Sequence, residues 1–260
     1  IIMDFSIIIQ ARMGSTRLPS KTMMKIKNKS LLDYVYNQVS HSKNISKIII
    51  ATTTLSEDDI IVNYANSKNI LVFRGDSENV LDRFYQCAKK FHLKNIVRIT
   101  ADNPLIDPDI IDSCIEKFNK KDYDYVSNTI SKTNNGWQYD LNRFPYGMAV
   151  ESFSFTSLEK AWKNAKLKSE KEHVTPYIIK NHNLFQLGFF KNEEDFSNIR
   201  LTVDHKEDFE LIKHIIKHVP FNKFFKIYDI IKYLKNNNAL TESNSKFIFN
   251  EGYLKSLQNE

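Results

Sequence analysis

The chain is predicted to fold as an α/β protein around a mostly parallel sheet with helices on both faces. Strand-like and helix-like segments alternate through the first half, the pattern of parallel strands joined by helical crossovers. The run Phe5–Gln10 is almost wholly apolar, as a strand buried on both faces requires. Helix starts carry capping chemistry: Asp107 followed by Pro108 supplies an N-cap and a first residue with φ already set.

The elements follow in order. After Phe5–Gln10 come a loop, a helix around Leu31–Val39, a strand at Lys47–Thr53 and a helix at Asp58–Asn66. A short strand at Ile70–Phe73 leads into a helix from Glu78 to Phe91, then a strand at Ile96–Thr100, the helix opened by Asp107, and a strand at Tyr123–Ser127. The second half is a smaller mixed β/α lobe. Gly147–Ser154 reads as a strand, and the pairs Thr156/Glu159 and Ser169/Glu172 have capping-box spacing ahead of helices. Phe185–Phe190 and Ile199–Val203 read as strands, His205–His218 and Tyr228–Asn236 as helices, and the rest as a polar tail. Residues 131–145 show little periodicity around Asn134, Asn135 and Gly136, the features of a mobile loop over a site.

With 260 residues and 42% hydrophobic content, the chain has enough apolar surface for one sizeable core. The first apolar run is too short to span a bilayer and lacks the flanks of a signal peptide, so the expectation is a cytoplasmic protein without a membrane partner. Cys87 and Cys114 have no metal or disulfide spacing and read as buried small hydrophobes. The net charge of +6 admits anionic partners. Lysines are scattered as solvated helix faces, and no basic stripe interleaved with aromatics suggests nucleic acid. Arginine is scarce: Arg12, Arg17, Arg74, Arg83, Arg98, Arg143 and Arg200 are the full set. Where lysine supplies most positive charge, an arginine marks a place for its planar fork, and two of the seven share one loop.

That loop, from Ala11 to Lys21, follows the first strand, at the strand end where parallel α/β sheets bind ligands. Gly14 permits close backbone approach, Ser15 and Thr16 offer hydroxyls and amides, and Arg12, Arg17 and Lys21 offer charge for phosphates. It is neither a Walker loop nor a dinucleotide fingerprint. By spacing alone, a phosphate grip and an ordinary basic surface loop both stand.

The string QARMGSTRLPSK resembles the signature loop of the 3-deoxy-manno-octulosonate and acylneuraminate cytidylyltransferase superfamily, and resembles more closely its spore-coat polysaccharide SpsF-like branch. Further strings agree in order: ATT at Ala51–Thr53, FRGDSENVLDRF at Phe73–Phe84, VRITADNPLIDPDIID at Val97–Asp112, EHVTPYI at Glu172–Ile178 and RLTVDHKEDFELI at Arg200–Ile212. The resemblance implies a GT-A-like (Rossmann-like) nucleotidyltransferase fold, with residues 1–219 as the catalytic domain, an acceptor and dimerisation lobe within about 130–195, and 220–260 as a helix and tail packed on it. It implies CMP transfer from CTP to a sugar-acid or related anionic acceptor, Mg²⁺ as cofactor with Mn²⁺ as a substitute, and a homodimer.

The resemblance also implies site roles. Arg12, Arg17, Lys21 and Asp102 would serve catalysis, and Asp102 with Asp204 would hold the metal. Ala11, Arg12, Met13, Gly14, Ser15, Lys21, Ala51, Thr52, Thr53, Arg74, Asp82, Thr100 and Ala101 would surround the nucleotide, and Gly147, Glu151, Glu172 and His173 the acceptor. Bland readings stand beside these. Asp204 directly precedes a helix and has N-cap spacing, Asp102 sits in a turn before Pro104, Asp82 and Arg83 suit a solvated helix face, and His173 suits the first turn of a capped helix. Arg98, inside an apolar strand, reads as a structural ion pair at a sheet edge.

The family's PDGLDVEVFSF run corresponds to Pro145–Phe155, where Tyr146 and Ala149 replace two acidic positions, so the acceptor's identity does not carry over. Alternatives are a nucleotidyltransferase with another nucleoside triphosphate or a sugar-phosphate or phosphonate acceptor, a glycosyltransferase using Asp122-Tyr123-Asp124, and an inactive binding module. Trp162, Phe185, Phe189 and Phe190 suit either a dimer face or core packing.

Overall fold

The computed structural model describes residues 4–258 and 260. In chain order it comprises β1 (Phe5–Gln10), the short β2 (Lys25–Ile26) and β3 (Lys29–Ser30), α1 (Leu31–Val39), β4 (Ile45–Thr53), α2 (Asp59–Ser67), β5 (Leu71–Gly75), α3 (Val80–Lys90), β6 (Asn95–Thr100) and α4 (Pro108–Asn119). There follow β7 (Tyr125–Ser127), β8 (Ile130–Thr133), β9 (Gly136–Tyr139), β10 (Glu151–Ser154), α5 (Phe155–Asn164), α6 (Lys168–His173), α7 (Pro176–Lys180), β11 (Leu187–Phe189), α8 (Lys206–His218), α9 (Ile227–Lys235) and α10 (Glu251–Gln258).

Local chemistry sets the helix starts. Ser30 Oγ accepts the Asp33 N–H while the Asp33 carboxylate accepts the Ser30 N–H at 2.9 Å, a reciprocal cap for α1. Asp107 caps α4 through the Asp109 N–H at 2.9 Å and uses its second oxygen for the Ile227 N–H at 2.8 Å, tying α9 to α4.

Seven strands form one sheet in the order β11-β7-β10-β6-β1-β4-β5. Only β10 runs antiparallel to its neighbours. Alternate residues of each strand enter different apolar layers: Ile7, Ile9, Val97, Ile99 and Ile50 join one with α1, α4, α8 and α9, while Ile8, Ile96, Ile49 and Phe153 join the other with α3, α5 and α7. Both layers are fully buried at their centres, which is why β1 needs apolar residues on successive positions. No described helix is long and apolar enough to cross a membrane.

The second half departs from expectation in several places. The strand expected at Gly147–Ser154 is regular only from Glu151, and Ile199–Val203 is irregular apart from one parallel bridge between Arg200 and Tyr146. Gly147 sits at φ +110°, and a Cβ there would lie 2.6 Å from the Leu201 and Thr202 backbone, so close packing of two extended segments replaces strand pairing. Ser154, not Thr156, caps α5, through the Ser157 N–H at 3.1 Å. At α6 the expected Ser169/Glu172 pair is displaced by Glu170, whose carboxylate accepts the N–H groups of Lys166 and Leu167. Residues 131–145, expected as a structureless loop, hold most of the β8–β9 hairpin, with Trp137 packed edge-on against Phe189. The polar tail contains α10. Trp162, Phe185, Phe189 and Phe190 all pack within the chain, on Tyr85, Tyr177, Trp137 and Phe144 respectively.

Candidate active site

Strands β1 and β6 are parallel neighbours, so their carboxyl ends deliver the Ala11–Lys21 loop and the Thr100–Asn103 turn side by side. A cleft of about 450 Å³ opens there. The loop is shaped by its own chemistry. The Ser15 and Ser20 N–H groups both donate to the Met13 carbonyl, and the Thr22 hydroxyl donates to the Arg12 carbonyl at 2.7 Å. Ser20 adopts left-handed φ +59°, which turns the chain so that Lys21 points into the cleft. Beneath the loop, fully buried Asp58 accepts the N–H of Met13 at 2.6 Å and of Thr53 at 3.3 Å. It thereby ties the first loop to the end of β4.

Asp102 and Asp204 meet because the chain before α8 docks on the β6 turn: the Val203 N–H donates to the Asp102 carbonyl at 2.8 Å. Lys21 Nζ then lies between them, 3.2 Å from Asp102 Oδ2, 2.8 Å from Asp204 Oδ1 and 2.6 Å from the Val203 carbonyl. Arg17 reaches Asp204 at 2.7 Å and Glu251 of α10 at 3.1 Å. Arg200 bridges Asp204 and Asp208 from the buried side. Burial alone would lower the Lys21 ammonium, but Asp102 and Asp204 outweigh it and hold its pKa above the ordinary value. Burial would raise the Asp204 carboxyl, but Lys21, Arg17 and Arg200 pull it down to about 2. Asp204 is thus an ionised carboxylate in the cleft and not an N-cap: Asp208 takes the Asp204 and His205 N–H groups instead.

This pair supplies an all-oxygen donor set already wrapped around one cation, the Lys21 ammonium. Among the described residues no third Asp, Glu, His or Cys joins them. That suits a hard divalent ion such as Mg²⁺, which usually takes one or two protein carboxylates and completes its shell with phosphate oxygens and water. Arg12, exposed at the rim, has no ion pair among the described residues.

The cleft gathers Arg12, Ser15, Arg17, Lys21, Thr100, Ala101, Asp102, Asp204, Glu172 and His173 of the predicted residues. The others lie outside its lining. Ala11 is buried below the loop, Met13 packs on the core, and a Cβ on exposed Gly14 would meet only the movable Glu57 carboxylate. Ala51, Thr52 and Thr53 are buried at the end of β4, where the Thr52 hydroxyl has no hydrogen-bond partner among the described residues. Arg74 is spent on the β4 exit, pairing with Asp59 and donating to the Thr53 and Leu55 carbonyls. Asp82 accepts from Trp162 Nε1 at 2.8 Å on the α3–α5 contact. Gly147 serves the close packing against Leu201 and Thr202. Arg83 is fully buried, not on a solvated face, and burial pushes its guanidinium down to about 10.

Arg98 was expected at a sheet edge but lies on β6, between β1 and β10, and lines the cleft. Its guanidinium is shared between Gln10 Oε1 and Glu151, and Glu151 also accepts from the Tyr125 hydroxyl at 2.7 Å and the Thr175 hydroxyl at 2.6 Å. Glu151 is therefore a buried support for Arg98 and does not itself line the cleft. His173 ends α6 at a tight turn in which Val174, a buried β-branched residue, holds φ +72° and the Thr175 N–H donates to the His173 carbonyl at 2.9 Å. Burial, then Arg98, pushes His173 down to about 4, so the imidazole is neutral at pH 7.

His173 makes a pH prediction. Its folded pKa lies below the unfolded value of 6.5, so the folded state binds the proton more weakly. The stability is complete above pH 6.5 and is lost as pH falls toward about 4, at no more than about 1.4 kcal/mol per pH unit. Tm should fall by a few degrees across that window, and His173→Gln should flatten the decline. An identical Tm–pH curve in the variant would contradict the assignment.

Cleft-lining residues left out of the expected site include Gln10, Arg98, Lys168 and the α10 side chains Tyr253, Lys255 and Ser256, while Tyr146 and Ala149, already marked as departures from the family's acidic run, line it as well. Gln10 carried a signal as the polar last residue of an apolar strand, and Arg98 as a scarce arginine inside one.

A family profile described as cytidylyltransferase matches residues 6–247. An uncharacterized protein of Methanocaldococcus jannaschii is 41% identical over 92% of this chain and 93% of its own length. The spore coat polysaccharide biosynthesis protein SpsF of Bacillus subtilis is 33% identical over 92% and 98%. A solved cytidylyltransferase from Leptospira borgpetersenii serovar Hardjo-bovis superposes with a TM-score of 0.83 at 32% identity, over 95% of this chain and 99% of that one. The CTP complex of CMP:2-keto-3-deoxy-manno-octonic acid synthetase, at 14% identity and a TM-score of 0.64 over 82% of this chain and 98% of that one, shares the fold.

Proposed function

The chain belongs to the cytidylyltransferase family and is a CTP-dependent nucleotidyltransferase, and on that premise we propose that it moves CMP from CTP onto an oxygen of a small anionic or sugar acceptor, releasing pyrophosphate, for surface polysaccharide or glycoconjugate synthesis. The observation that carries this reading is the cluster of Lys21 and Arg17 with Asp102 and Asp204, beside the exposed Arg12, in one cleft at the carboxyl ends of β1 and β6. The polysaccharide context rests on the similarity to SpsF.

In this reading the acceptor oxygen forms a bond to the α-phosphorus while the bond to the bridging oxygen of pyrophosphate breaks. Such transfers need positioning and charge neutralisation more than covalent catalysis. Arg12, Arg17 and the Ser15 and Thr16 groups hold the outer phosphates and stabilise the leaving pyrophosphate. Lys21 holds the two carboxylates at a fixed spacing and contributes charge at the reacting phosphate. Asp102 and Asp204 would hold Mg²⁺ or Mn²⁺, which when bound neutralises phosphate charge and polarises the phosphoryl group. At the other end of the cleft, Arg98, Lys168, Glu172 and His173 face the acceptor.

Tyr146 and Ala149 line the cleft without adding negative charge, which favours an anionic acceptor. A glycosyltransferase reading through Asp122 and Asp124 finds no support. Asp124 lies at the amino end of β7, and its carboxylate is committed to the Ser157 hydroxyl and the Gln186 N–H.

Pyrophosphate release measured with CTP, ATP, GTP and UTP, each against a panel of sugar acids, sugar phosphates and phosphonates, tests the reading. CTP with a sugar acid should exceed the other pairs by at least about 10-fold, on the scale of a few well-placed contacts. Preference for another acceptor class, or for none, would refute the acceptor assignment.

A further inference from the structure

We infer that the C-terminal helix α10 completes the acceptor end of the cleft, with Ser256 as the positioning residue that fixes His173 and Glu172. The family match ends at residue 247, ahead of α10, yet Gly252, Tyr253, Lys255 and Ser256 line the same cleft as Lys21 and Asp102. The profile-matched residues 6–247 include Glu172 and His173, and α10 packs on both from beyond that match.

The contacts are specific. Ser256 is buried, at 4% exposure. Its Oγ lies 2.7 Å from Glu172 Oε2, 3.0 Å from His173 Nε2 and 3.1 Å from the Gly252 carbonyl. A hydroxyl has one proton, and the carboxylate is the nearest and strongest acceptor. The Ser256 proton therefore goes to Glu172, and His173 must donate from Nε2 into the Ser256 lone pair. That leaves Nδ1 as the bare, accepting nitrogen of a neutral ring. Tyr253 packs edge-on to the imidazole at 5.3 Å, and its other contact is Tyr139 of the hairpin, so the ring is held in place as well as in tautomer. The strained Val174 turn fixes the same histidine from the backbone side.

This inference rests on the acceptor reading of that end of the cleft, so two measurements separate them. Long-range ¹H–¹⁵N correlation spectra of histidine-labelled full-length protein at pH 7, with His173 assigned from His173→Gln, report the tautomer without any acceptor. Wild type and Ser256→Thr should show Nε2–H, and Ser256→Ala should show a mixture. A wild-type Nδ1–H ring, or an unchanged spectrum in Ser256→Ala, overturns the inference. Calorimetry with Mg²⁺–CTP should give Ser256→Ala an affinity within about twofold of wild type, while the acceptor KM rises at least about tenfold with Ser256→Thr restoring it. A tenfold loss of CTP affinity would place Ser256 at the nucleotide end and also overturn it. If no acceptor of the panel reacts, the proposed function fails and the spectra still decide the role of Ser256.

Discussion

Asp102→Asn is expected to lower CTP-dependent pyrophosphate release by at least about 10³-fold and to remove its response to Mg²⁺, the scale expected when charge stabilisation of the reacting phosphate is lost. The substitution is nearly isosteric. Asp102 Oδ1 accepts the Thr100 hydroxyl at 2.5 Å and Oδ2 faces Lys21 at 3.2 Å, and its side chain is 28% exposed. An asparagine oxygen still accepts from Thr100, so the fold should tolerate the change within about 0.5 kcal/mol. What disappears is one of the two negative charges around the Lys21 ammonium, and with it half of the donor set proposed for a divalent cation. Pyrophosphate release titrated against Mg²⁺, with Tm measured alongside, checks both parts. A variant that keeps the wild-type Mg²⁺ saturation curve would remove Asp102 from the metal.

Arg17→Ala is expected to lower kcat/KM for CTP by roughly 10²-fold or more, with Arg17→Lys recovering only part of the loss. Arg17 is 22% exposed and its two terminal nitrogens are already divided between Asp204 and Glu251. A planar fork that can span two carboxylates can span two phosphate oxygens, whereas an ammonium meets one direction at a time. Because Asp204 keeps Lys21 and Arg200 after the change, the carboxylate stays ionised and the site does not collapse. The loss should appear in steady-state kinetics at unchanged Tm. Near-wild-type turnover would free Arg17 of any role at the triphosphate.

The residues proposed for the nucleotide end that do line the cleft, Arg12, Ser15, Arg17, Lys21, Thr100, Ala101 and Asp102, were legible because they travel in two short strings. Those two strings run out of β1 and β6, and strand ends of a parallel sheet converge on one edge. Asp204 was ambiguous for a local reason: a carboxylate before a helix has the spacing of a cap whether or not it caps. The structure resolves it through Asp208, four residues on, which takes the backbone N–H groups and leaves Asp204 to the cleft. Arg98 was misread because strand order is not written in a single sequence. An arginine in an apolar run suits an edge until β10 is found paired beside it, returning antiparallel from far along the chain.

The sequence by itself determined the α/β class and the mostly parallel order of the first half. These follow from apolar periodicity and from turn and charge chemistry within about a dozen residues. Only the tertiary structure decided that Arg74 and Asp82 are spent on other partners, that Glu151 works beneath Arg98, and that the polar tail becomes a wall of the cleft. Those outcomes depend on which partner reaches a polar group first. Here the partners lie tens of residues or more away in the chain, as Ser256 does from His173.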